Sequence, residues 1–196
     1  MEKLKTFQDL MSPDSRHEAF SVIDDISGHF RPLTLRDVYG SAASIELHDG
    51  VPEVIRSHFA VAQTLLVYSW FFYPFNVTAE FLAYVTLELA LKERFKVEVT
   101  ANGKRSFKAL VKLAVTRGLV RDDGFTHIRG RSETLFADAL EPRNQPLKSY
   151  TDILIDSLPY LRNELAHGSP MLHPNGAASV RISADFINQL FPKSAS

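Results

Sequence analysis

The run Phe59–Tyr73, "FAVAQTLLVYSWFFY", is apolar except for Gln63, Thr64 and Ser69, and Pro74 follows it at once. A membrane-spanning helix takes about 20 apolar residues. The run is too short for that, so it predicts a core helix inside a globular protein and no membrane partner. Pro52 suits a first helical turn, where its missing N–H is not needed, and Pro74 cannot extend a helix, so one is predicted over 52–73. A buried helix requires others to cover it, and three further segments have the spacing to do so.

Asn76 is a candidate N-cap for "VTAEFLAYVTLELALKERF", with Glu80 in its first turn. Phe81, Tyr84, Leu91 and Phe95 recur there at helical spacing, and Lys92, Arg94 and Lys96 suit the negative end of the dipole. After the Asn102-Gly103 turn, Ser106 can cap a helix whose stripe is Phe107, Leu110, Val111, Ala114 and Val115, stopped by Gly118. Residues 121–148 read as a polar loop with one short helix near 133–140. A fourth helix runs from about Tyr150 to His167. Pro159 inside it predicts a kink or two helices in series, the second capped by Ser157.

Weak alternation around Ile45 and in "ASVRI" predicts two short strands that pair with each other. Ser183 then caps a final short helix that Pro192 closes. The expected fold is mostly α: a four- to five-helix bundle with short β additions near 43–48 and 178–182. An N-terminal extension, 1–50, packs on a helical domain, 51–196.

The chain of 196 residues is 45% hydrophobic, enough for one sizeable core. It has no cysteine, which excludes disulfides, thiol catalysis and thiolate metal sites and fits a reducing compartment. The N-terminal stretch is acidic in part and has no apolar h-region, so no signal peptide is expected and the expected location is cytoplasmic. The net charge of −1 conceals an asymmetry: residues 92–131 hold 11 of the 22 Lys and Arg against 4 Asp and Glu. Such a window is either a solvated face or the footprint of a polyanion site. Within it, Lys104, Arg105, Lys108, Arg129 and Arg131 are the candidate phosphate contacts.

The fourth helix ends in "LPYLRNELAHG", with Arg162 and Asn163 followed, four residues after the asparagine, by His167. An arginine, a polar residue, three more residues and a histidine at the end of a long helix resemble the signature of HEPN domains. Those are helical bundles named for higher eukaryotic and prokaryotic nucleotide binding. "LELALKERF" resembles the second core helix of that family, which often carries a glutamate where Glu88 stands. The resemblance covers about residues 52–190. It implies a metal-independent endoribonuclease without cofactor, often a toxin or defence effector. The site would form between two chains, with RNA, a homodimer mate and an antitoxin or other protein as partners. Some relatives have lost catalysis, so it equally accommodates a silent helical module that binds nucleic acid or protein.

The chemistry needs residues of these types. Cleavage by a 2′-hydroxyl needs a base and an acid, which two histidines from two chains can divide. Arginine can hold the charge of the transition state, and the need for the 2′-hydroxyl restricts the substrate to RNA. At about 100° per residue, Arg162 and His167 lie roughly 140° apart, whereas Asn163 and His167 share a face. No HExxH motif accompanies the seven histidines, so no metal is expected. The same residues also make an ordinary helix end. A cationic His167 beside Gly168 favours the dipole, Arg162 can pair with Glu88 or Asp156, and Asn163 can bond a loop carbonyl. Glu88 falls inside an apolar stripe, where a carboxylate needs a partner unless it reaches solvent. Arg162 is the better-placed candidate. Trp70, Phe71, Phe72 and Tyr73 could stack on bases, but beside a proline they read as core or dimer contacts.

Overall fold

The computed structural model describes residues 3–24, 26–96, 106–129, 148–168 and 175–193. Among these the chain is mostly helical. The helices are α1 (Leu35–Ala43), α2 (Glu53–Tyr68), α3 (Phe75–Arg94), α4 (Phe107–Thr116), α5 (Tyr150–Ala166) and α6 (Gly176–Leu190). One antiparallel hairpin joins β1 (Ser21–Ile23) to β2 (Phe30–Pro32), with Ile23 opposite Phe30. A helical bundle with a short β addition is therefore present, but the strands are not those expected.

Residues 43–48 close α1 and then run on without regular structure, with Ile45 buried as a plug in the core. Gln63 of α2 donates to the carbonyls of Ala42 and Ile45, so this backbone is satisfied by a side chain instead of a strand. Residues 178–182 lie inside α6. The alternation in "ASVRI" is part of a helical stripe, with Val180, Ala184, Ile187 and Leu190 all buried. The two segments still meet, because Arg181 reaches from α6 to the Ser44 hydroxyl at 2.7 Å. Ser183 caps nothing: it is mid-helix and its hydroxyl donates back to Ser179 O at 3.0 Å.

The bundle is organised on α3, against which α2 and α6 pack most extensively. Ala79, Ala83 and Ala90 keep parts of its surface low, and Leu87 and Leu91 fill the gaps between neighbours. From α2 come Ile55, Phe59, Ala62 and Leu66, a single stripe spaced by four, three and four residues. Each fully buried Leu, Ile or Phe stabilises the fold by ~1.5–3 kcal/mol. Close approach also explains one glycine: a Cβ on Gly176 would stand 2.7 Å from Asn76 O, so α6 can begin against α3 only with no side chain there. Asn76 is not the N-cap of α3. Pro74 holds that place, and the Asn76 amide donates to Tyr73 O. Glu80 does not lie in the first turn of α3 either, because the helix starts at Phe75. It is 2% exposed and accepts hydrogen bonds from Tyr84 and, across to α6, from Ser179 at 2.7 Å. Burial, reinforced by the Glu80 charge, pushes the Tyr84 phenol well above its ordinary pKa.

Helix α2 ends at Tyr68, short of Pro74, and the turn between them holds the N-terminal segment. Asp14 donates its N–H to Trp70 O and accepts from Tyr73 N–H, while His17 Nε2 lies 2.9 Å from Ser69 O. The polar groups exposed where the helix unwinds are thus taken up by residues 14–17.

The segment that follows α4 is pinned to the bundle by Phe125, which is fully buried against Tyr150 and Phe186. Two carboxylates tie it down. Asp185 of α6 accepts from the N–H and hydroxyl of Thr126, both at 2.8 Å. Asp122 accepts from the N–H groups of Tyr150 and Thr151 and from the Thr151 hydroxyl, which caps α5 together with Ser149. The helix expected near 133–140 lies outside the described residues.

Burial raises the Asp122 pKa, but the donors from Thr151 and Tyr150 outweigh it and leave the carboxyl below its ordinary range. A depressed folded value means stabilisation that is present above the unfolded pKa of about 3.9 and lost as pH falls through the folded one. Asp122→Ala should therefore cost about 1–3 kcal/mol at neutral pH in urea unfolding, and the gap to wild type should shrink below about pH 4. An unchanged midpoint, or a gap independent of pH, would contradict the capping role.

Candidate functional site

Helix α5 runs unbroken through Pro159, whose ring is buried, so neither a second helix nor a Ser157 cap forms. The helix stops at His167, the C-cap, whose N–H donates to Asn163 O at 3.0 Å. Gly168 follows with φ +82°, a left-handed position that a side chain would strain.

Arg162 faces inward. Its Nη2 lies 2.8 Å from Glu88 Oε2 on α3, and its Nη1 donates to Asn163 Oδ1 at 3.3 Å. Glu88 is shared: Lys92, one turn further along α3, places Nζ 2.6 Å from Oε1. The Glu88 side chain is 13% exposed and that of Arg162 32%, so the pair is screened from water more than a surface bridge is. Two cations on one carboxylate leave the cluster a net positive charge. Arg162 Nε is buried and bonds to nothing among the described residues.

Asn163 and His167 are both exposed. Within one chain Arg162 is engaged with α3, whereas His167 is exposed at the end of α5. Beside Asn163 lies an open groove lined by Lys108, Lys148, Ile153, Asp156, Ser157 and Tyr160, among others. Lys108 of α4 bridges to Asp156 of α5 at 2.7 Å. That hydrogen bond and its charge hold the Asp156 carboxyl below its ordinary range. Asp156 is thus the partner of Lys108, and Arg162 takes Glu88. Arg129 donates Nε–H to Asp123 O at 2.9 Å, within its own loop. Lys104, Arg105 and Arg131 lie outside the described residues.

The sequence presents Lys92 only as a charge at the end of α3, and it does not mark Lys148 or Tyr160 as site residues. Lys92 and Tyr160 carry a signal in their spacing: Lys92 is four residues after Glu88, and Tyr160 is seven before His167, on the same helical face. Among the described residues no group of His, Asp or Glu is arranged to hold a metal ion. No helix of these residues is long and apolar enough to cross a membrane.

If the Glu88–Arg162 contact fixes α5 on α3, Glu88→Gln and Arg162→Gln should not be additive. A double-mutant cycle in chemical denaturation should give a coupling of about 1–3 kcal/mol. Additive losses would mean that the contact contributes nothing.

No family model, curated protein or solved structure matches this chain.

Proposed function

We propose that the chain is a metal-independent endoribonuclease of HEPN type that acts as a dimer, with the ends of two α5 helices forming one groove. The observation that carries this reading is the division of labour at the end of α5. Arg162 is held by Glu88 at 2.8 Å, while Asn163 and His167 stand free of the core on an accessible face. A twofold axis near His167 brings two imidazoles together. One takes the proton of the 2′-hydroxyl as its oxygen attacks phosphorus, and the other gives a proton to the departing 5′-oxygen. The products are a 2′,3′-cyclic phosphate and a 5′-hydroxyl end. The net positive Arg162–Glu88–Lys92 cluster supplies charge for the phosphorane, and Lys108 and Lys148 line the approach.

A second reading is a silent helical module that binds nucleic acid or a protein partner. It is favoured by the engagement of Arg162 with Glu88, which a purely structural role explains equally well.

The separating experiment is incubation of purified protein with RNA in excess chelator. Wild type should cleave. His167→Ala should lose at least about 100-fold in rate while keeping its helical circular dichroism, because a general acid or base contributes about 10²–10⁴-fold. Arg162→Ala should likewise abolish cleavage, whereas Lys108→Ala should mainly weaken binding and reduce its dependence on salt. Retention of RNA binding by a protein that never cleaves supports the second reading. An unchanged rate in His167→Ala would trace the activity to a contaminant.

A further inference from the structure

A cleft of about 290 Å³ lies where the N-terminal segment, α1 and the turn between α2 and α3 come together, remote in sequence from the end of α5. Its walls are largely apolar, including Val22, Val38 and Leu66. One side is made of rings. His17 and Tyr73 have centroids 5.5 Å apart, and Phe20 lies 6.2 Å from Tyr73 with the two planes only 7° from parallel. His17 also stacks on Trp70 at 4.9 Å, which holds its ring in place.

The polar groups of this lining are unevenly satisfied. Asp37 is neutralised by Arg31, with both guanidinium contacts at 2.7 Å, so the wall offers no uncompensated carboxylate. Ser69 donates its hydroxyl to Leu66 O. His17 is different. It is 7% exposed, and the 2.9 Å contact of Nε2 with Ser69 O can only be a hydrogen bond if Nε2 carries the proton. Nδ1 is then an acceptor, and it is buried with no donor among the described residues. Burial raises the Tyr73 pKa and keeps it a neutral phenol. A native fold rarely leaves a buried acceptor unpaired without a reason.

We propose that this cleft is a binding site for a small, neutral, planar aromatic molecule that carries one N–H or O–H donor, received by His17 Nδ1. The volume is at the small end of ligand pockets, about 300 Å³, which suits one or two fused rings and nothing larger. Planarity follows from the Phe20, Tyr73 and His17 rings, against which a flat ligand can stack or abut. Neutrality follows from the paired state of Asp37, since a charged ligand would find no free counter-charge on this wall. The donor follows from Nδ1, the one buried side-chain atom among the described residues of this lining that has no hydrogen-bond partner. Because the cleft is closed by the N-terminal segment on one side and the bundle on the other, the ligand would bind the folded chain alone and clamp the two together.

Indole and 1-methylindole are the decisive probes, since they share a ring system and differ in the donor. Titration of the full chain by calorimetry, with thermal melts alongside, should show indole binding and raising Tm. The affinity for 1-methylindole should be at least tenfold lower, and anionic benzoate should not bind. Ser41→Trp, at an exposed position on the lining, should abolish indole binding while leaving circular dichroism unchanged. His17→Phe should erase the preference for indole over its methylated form. Three results would each overturn the assignment: no response to indole, equal affinity for both indoles, or undiminished indole binding in a folded Ser41→Trp protein.

Discussion

Arg162 and Glu88 meet at 2.8 Å between α5 and α3, and this contact sets the rotation of α5 about its own axis. With Arg162 turned toward α3, a residue about 140° away on the helical wheel must face outward, and that residue is His167. Asn163 shares the outward face with it. The pair is strong because it is sheltered and because Lys92 holds the other carboxylate oxygen, so Glu88 cannot easily turn away. Removing either partner leaves a charge in a site that water reaches poorly, a more costly outcome than losing a surface bridge.

Other carboxylates place the same helix. Asp122 anchors its first turn through three donors, and Asp156 along its length is bridged by Lys108 of α4. The helix is therefore fixed at its start, on its flank toward α4, and near its end. The partner groups come from the loop after α4, from α4 itself and from α3. Such anchoring matters for chemistry at the helix end, because a catalytic side chain on a frayed terminus cannot hold its geometry. Gly168 supplies the clean stop.

The long helices were legible in the sequence because their periods are strong and their ends are marked. Ser106 caps α4 as its hydroxyl predicts, and the apolar stripe of Phe107, Leu110, Val111 and Ala114 is the buried one. The Glu88–Arg162 pair was legible too, since a carboxylate inside an apolar stripe demands a partner. What failed were readings from short windows. "ASVRI" alternates over five residues, but its continuation to Leu190 has the helical period, and the longer pattern decides. The true hairpin was hidden because β1 and β2 have three residues each, too few for a periodicity to register. Glu80 looked like a first-turn charge, and only the packing of α6 shows that Ser179 and Tyr84 bury it. The pinning of residues 121–129 to the bundle likewise rests on tertiary contacts of Phe125 that no local pattern announces. The site itself was legible only as residue types in a spacing; which of them α3 engages and which stand exposed needed the fold.

The account stands or falls on the chemistry at the end of α5, and the ends of cleaved RNA report that chemistry most directly. A short single-stranded RNA, incubated with the wild-type chain and resolved by mass spectrometry, should yield fragments with 2′,3′-cyclic phosphate and 5′-hydroxyl ends. A single 2′-deoxy substitution at the cut should block that cut alone. Intact RNA after prolonged incubation, or fragments with 3′-hydroxyl and 5′-phosphate ends, would contradict a 2′-hydroxyl mechanism served by His167.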